Sequence, residues 1–155
     1  MSTDHRALID TFYRAFAQRD SETMAACYHA DAEFEDGAFR LQGSACGDMW
    51  RMLCTRGKDL KIEFRDIHVE GDHGSAHWEA WYTFSGTGRQ VHNIIDAEFQ
   101  FKDGKIFRHH DHFDFWGWSR QALGPIGFAL GWSPWLRHKV QAQAAKGLAA
   151  FQASR

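Results

Sequence analysis

Gly57 divides this chain between two hydrophobic periods, and that change restricts the fold more than any other feature. Beyond it apolar and polar residues alternate in four runs, near 60–70, 75–85, 90–101 and 105–116, separated by Gly-Asp, Ser-Gly-Thr-Gly and Lys-Asp-Gly turns. Period 2 with short turns predicts an antiparallel meander. Ahead of Gly57 the period is helical. From a cap at Thr3 or Asp4, Leu8, Ile9, Phe12 and Phe16 form the apolar side of a first helix. Asp20-Ser21 restarts a short helix through Met24 and Tyr28. Ala32, Phe34 and Asp36 then alternate with Glu33 and Glu35 as a brief strand. A third helix is expected from about Ser44 to Cys54, with Met49, Trp50 and Leu53 on one side. Helices followed by a long curled sheet predict an α+β domain in which the helices cover one sheet face.

The apolar frame of each strand identifies that face. It holds Ala76, Trp78, Ala80, Tyr82 and Phe84 on one run and Asn93, Ile95, Ala97, Phe99 and Phe101 on the next. On the last run it holds Phe107, His109, Asp111, Phe113 and Phe115, so an aromatic face carries a His and an Asp. Burying a carboxylate among phenyl rings is costly unless it is hydrogen-bonded or neutralised, and groups so placed serve acid–base catalysis. Asp111 is therefore the first candidate for chemistry. A three-residue Lys102-Asp103-Gly104 loop with Gly104 left-handed would set Ala97 against His109 and Ile95 against Asp111.

Bulk properties narrow the function. The 155 residues, 44% hydrophobic and 25% charged, suit one soluble domain, and a formal charge of −2 offers no field for a phosphate backbone, so no nucleic-acid partner is expected. Cys27, Cys46 and Cys54 make no Cys-x-x-Cys pair and leave an odd thiol, which fits a reducing compartment and small buried hydrophobes. The charged N-terminus and the lack of a long apolar run predict neither a signal peptide nor a membrane span, and so a cytoplasmic protein.

Three segments resemble the nuclear transport factor 2 superfamily, and within it the SnoaL-like polyketide cyclases and the ketosteroid isomerases. They are Leu8-Ile-Asp-Thr-Phe-Tyr-Arg-Ala-Phe-Ala-Gln-Arg-Asp20, Tyr28-His-Ala-Asp-Ala-Glu-Phe-Glu-Asp36, and Asp103-Gly-Lys-Ile106 followed by Arg108-His-His-Asp111. The likeness spans about residues 4–118 and implies a cone of curved antiparallel sheet, closed by three N-terminal helices, with a pocket inside. Residues 1–118 would form that domain and 119–155 a Trp-rich extension. The isomerases' base, at the end of a Glu-Asp pair, falls on Asp36. Their oxyanion tyrosine falls on Phe12, which cannot donate a hydrogen bond, and their second aspartic acid falls on Ala97 when strand frames are matched, which leaves Asp96 pointing outward. A steroid-type isomerase is thereby disfavoured. The cyclases carry their acid–base carboxylate on the last long strand, which matches His109 and Asp111.

The expectation is a cofactor-free cyclase, isomerase or dehydratase moving a proton beside the carbonyl of a small apolar ligand. Asp111, His109 and Asp36 would be catalytic, with His109 or Asn93 steadying an enolate. Asn93, Tyr82, Trp78, Trp50, Phe113 and Phe12 would line the ligand. The rival is a non-catalytic ligand-binding or interaction module of the same fold. On the opposite frame His92, His110, His112 and Asp114 have spacings a divalent ion could use, yet a solvated or homodimer-facing sheet explains them as well, and no metal is assigned. Trp116, Trp118, Trp132 and Trp135 would seal the pocket mouth or pack on a second subunit. The stripe Leu136, Val140, Ala144, Leu148 and Phe151 is narrow and alanine-rich, which favours packing on protein over membrane association.

Overall fold

The computed structural model describes residues 2–155, with side chains from Asp4 onward. Six strands form one mixed sheet in the order β2-β1-β6-β5-β4-β3: β1 (Tyr28–Glu35), β2 (Arg40–Gln42), β3 (Lys61–Glu70), β4 (His73–Phe84), β5 (Arg89–Lys102) and β6 (Lys105–His112). The helices are α1 (Ser2–Ala17), α2 (Ser21–Ala26), α3 (Ser44–Arg56), α4 (Phe115–Leu123), α5 (Pro125–Leu130) and α6 (Pro134–Ala153). The first three close the curved, unclosed sheet as the periodicity predicts. Since α1 already starts at Ser2, Asp4 sits in its first turn and not ahead of it; the Thr3 side chain lies outside the described residues. Asp20 does cap α2, accepting from the Thr23 amide at 3.2 Å.

Every pairing is antiparallel except β1 with β6, which is parallel and brings the first strand beside the last. Trp78 opposes Ile95, Ala76 opposes Ala97 and Ala80 opposes Asn93, so the two apolar frames share one face. The last hairpin departs from the expected register. Its turn has two residues, Asp103 and Gly104, both at positive φ (54° and 74°), as the right-handed twist of paired strands favours. A bulge follows, since Phe101 pairs with Ile106 while Gln100 pairs with Arg108. Ala97 therefore opposes Asp111, and Phe99 opposes His109. The bulge also corrects the frame of Phe107: Ile106 is fully buried, while Phe107 turns outward beneath Lys102 and against His29.

The core lies between this sheet face and the stripes Ile9, Phe12, Tyr13, Phe16 of α1 and Cys46, Met49, Trp50 of α3. Cys27, Cys46 and Cys54 are free and buried, and burial pushes each thiol up to about 11, so they behave as small apolar groups. β6 ends at His112, short of the expected 116, because Asp114 turns the chain into α4. α6 folds back onto α3: Leu148 joins the core, and Gln152 and Arg155 reach Asp48 at 3.0 and 2.9 Å. Among the described residues no helix is long and apolar enough to cross a membrane.

The turn from α4 to α5 is set by glycine. A Cβ on Gly127 would overlap the Ser119 carbonyl oxygen, and one on Gly131 the Ser119 hydroxyl. Gly127→Ala is expected to cost about 3 kcal/mol, because rigid backbone and not a flexible side chain must move. A urea midpoint equal to that of the unaltered protein would show that α5 is not held this way.

Candidate functional site

The sheet face inside the cone carries one continuous polar chain through an otherwise aromatic interior. Trp50 Nε1 donates to the Tyr28 hydroxyl at 2.7 Å, and that hydroxyl lies 2.7 Å from His109 Nδ1. His109 Nε2 is 2.9 Å from Asp111 Oδ1, to which Trp78 Nε1 also donates at 3.3 Å. An indole only donates, so one assignment satisfies every group: Tyr28 donates to Nδ1, and the neutral imidazole donates from Nε2 to Asp111. His109 and Asp111 are 2% and 3% exposed, which makes this pair a fixed internal element. Rings seal it: Phe12 and Phe34 meet the imidazole edge-on, and Trp50 stacks on it.

Two of these residues escape the sequence reading although a signal exists for each. Tyr28 is in the even-numbered frame of β1 with Ala32 and Phe34, and Tyr13 stands four residues after Ile9 on the buried stripe of α1. Tyr13 is fully buried, and among the described residues its hydroxyl finds no hydrogen-bond partner. Burial pushes both phenols well above their ordinary range, and the Asp111 charge adds to it. Phe12 offers that interior only a ring, while the neighbouring Tyr13 brings a hydroxyl into it.

Asp36 follows β1 at the rim of the cone and is half-buried. Its Oδ1 accepts from the Ala38 and Phe39 amides, both at 2.7 Å, which fixes the carboxyl in an Asx-type turn. Burial pushes it up to about 7, with Asp111 adding to the rise against the lowering pull of the two amides. Tyr82 lies near enough to be raised by Asp36 in turn, although its own burial is the main reason it reaches about 12. Trp118 of α4 donates to the Tyr82 hydroxyl at 2.7 Å, Phe113 packs against Gly37, and Gln141 of α6 donates to the Gly37 carbonyl at 3.3 Å. The extension thus roofs this rim. Asn93, opposite Ala80, is half-buried on the inner frame.

The structure therefore brings His109, Asp111, Trp78, Trp50 and Phe12 together in the interior and sets Asp36, Tyr82 and Phe113 at the rim. Among the described residues, hollows of about 800 and about 310 Å³ open elsewhere. The larger lies between Arg6, Glu70, Glu98, Arg108 and His110; the smaller touches the cone only through Tyr82 and Val91. Of the four tryptophans expected to seal the mouth, only Trp118 is buried.

On the outer face three histidines have a carboxylate neighbour, while His110 stacks on His112 with ring centroids 3.9 Å apart. Glu79 holds His77 at 2.9 Å and His92 at 2.7 Å, and Glu98 holds His112 at 2.9 Å. His77 and His92 bring the Glu79 carboxyl down to about 2, while Glu79 and Asp96 raise His77. Among the described residues no three His, Cys, Asp or Glu side chains converge on a common ion position.

An unclosed curved sheet covered by three helices is the nuclear transport factor 2-like fold. The SnoaL-like domain family matches residues 9–109, and the chain belongs to that family. No curated protein matches it in sequence. Among solved structures it is similar to an LEH-like epoxide hydrolase of M. tuberculosis (19% identity, 83% of this chain and 97% of that one, TM-score 0.64). It is also similar to a candidate polyketide cyclase of Xanthomonas campestris pv. campestris (20%, 77% and 97%, 0.64). A third is a Catenulispora acidiphila protein of ketosteroid isomerase-like fold in complex with trimethylamine (12%, 82% and 97%, 0.66). At these identities the likeness shows the fold alone.

Proposed function

We propose that this SnoaL-like protein is a cofactor-free acid–base enzyme, a cyclase, isomerase or dehydratase, that moves a proton beside the carbonyl of a small, largely apolar molecule. The observation that carries the reading is the Asp36 carboxyl held by two backbone amides at the rim of an aromatic interior, where burial pushes it up to about 7. A base is most useful when its pKa lies near working pH. Ionised Asp36 takes the proton from the carbon next to the carbonyl, the electron pair moves onto the carbonyl oxygen, and protonated Asp36 returns the proton to another atom of the same skeleton. Both His109 nitrogens are occupied, so donation to the enolate oxygen falls to Asn93 and to the Tyr13 hydroxyl, which has no partner among the described residues. Asp111, with His109, Tyr28 and Trp50 behind it, holds that interior in one arrangement. We place a homodimer contact on the polar outer sheet and the protein in the cytoplasm, where three free thiols persist.

The second reading, a non-catalytic binding module, is favoured by the near-complete burial of His109 and Asp111 and by the placing of the two hollows away from them. One probe separates the two. 2-Naphthol, a planar mimic of an enol, should bind through Tyr13 and the rim, with affinity falling as pH rises through about 7 and Asp36 ionises. Asp36→Asn should remove that pH dependence. Binding that is indifferent both to pH and to Asp36→Asn would remove the acid–base reading.

A further inference from the structure

Five of the large apolar side chains left in water lie in one short stretch of chain: Ile126 at 60% exposure, Phe128 at 62%, Leu130 at 37%, Trp132 at 72% and Trp135 at 57%. They occupy α5 and the start of α6, and Trp116 of α4 joins them by packing on Phe128 with ring centroids 6.0 Å apart. So concentrated an apolar surface is uncommon unless something covers it. The charge pattern indicates what. All 20 acidic residues lie in 1–114, with 13 of the 18 lysines and arginines, which gives that part −7. Residues 115–155 contain Arg120, Arg137, Lys139, Lys146 and Arg155 and no carboxylate side chain, which gives +5. Arg120 lies over the Trp116 ring at 4.1 Å and Lys139 over Trp135 at 4.8 Å, so cations and rings share one surface.

We propose that the α4–α5–α6 elbow docks on an anionic lipid bilayer, with its aromatic side chains at the boundary between headgroups and acyl chains and Arg120 and Lys139 among the headgroup phosphates. The indole N–H groups agree with this: Trp116 donates to the Phe128 carbonyl at 3.1 Å and Trp132 to the Ala129 carbonyl at 2.8 Å, so these rings turn outward with no donor to desolvate. The alanine-rich stripe of α6, which argued against membrane association, is not part of this surface, because Leu136 and Leu148 face protein. A second copy is a poorer fit, since two patches of like charge repel.

Flotation of the full chain with phosphatidylcholine vesicles, with and without phosphatidylglycerol, tests the proposal. The protein should float with the anionic vesicles and stay behind with the neutral ones. Trp132→Ala with Trp135→Ala, both at exposed positions, should abolish flotation while the circular dichroism spectrum is kept. Arg120→Glu and Lys139→Glu should each weaken it by about fivefold or more, the fold-change that corresponds to about 1 kcal/mol per surface cation. Failure to float with anionic vesicles, undiminished flotation of the tryptophan double variant, or a dimer in light scattering that vanishes with that variant would each overturn it.

Discussion

His109→Leu is expected to destabilise the protein by about 3–5 kcal/mol, the range for leaving one member of a buried pair without its partner. Asp111 would keep only the Trp78 indole at 3.3 Å, and Tyr28, still receiving the Trp50 N–H, would lose the acceptor for its own proton. Leucine fills most of the imidazole's space, so the loss comes chiefly from stranded polar groups. The companion experiment is His109→Leu with Asp111→Leu. Removing both members takes the desolvation cost away with the attraction, so the double variant should recover much of what the single one loses. Urea unfolding of the unaltered protein, both single variants and the double gives the coupling energy directly. A single-variant loss below about 1 kcal/mol would mean that water reaches Asp111.

Strand phase was legible because the sheet face is enforced by period 2 over long runs: Ala76, Trp78 and Ala80, and Ile95, Ala97, Phe99 and Phe101, point inward as their frames predict. Register was less legible, because a two-residue turn and a bulge at Phe107 leave the parity of the pairing unchanged while moving Asp111 from Ile95 to Ala97. No alternation pattern distinguishes those arrangements. The Tyr28–His109 bond was hidden for another reason. It depends on the parallel β1–β6 pairing, in which Phe34 lies beside His109, and nothing local announces a pairing between residues some 75 positions apart. Glu79 as the partner of His77 and His92 is not legible in residue spacing, because the β4–β5 register brings His92 to it from the neighbouring strand.

Asp36→Asn should abolish proton transfer and, above pH 7, make the protein more stable. The amide keeps an oxygen for the Ala38 and Phe39 N–H groups, so the turn survives, while the group that exchanges a proton is gone. General-base losses are about 10²–10⁴-fold, read as the wash-in of deuterium at the α-carbon of enolisable apolar ketones. The stability change follows from linkage. The carboxyl titrates at about 7 in the folded state against 3.8 ordinarily, so between those values the folded state holds the extra proton. Its contribution is fully present below pH 3.8 and is lost as pH rises through 7. At about 1.4 kcal/mol per unit the loss is at most about 4 kcal/mol, and solvent reaching the half-buried carboxyl brings it lower. Asparagine carries no charge at any pH, so the difference in unfolding free energy between variant and unaltered protein should grow from pH 4 to pH 8 and then level. Glu79, held down to about 2, is common to both proteins and cancels in that difference. A flat difference across this range would show that Asp36 ionises as freely as it does in water, and the acid–base reading would fall with it.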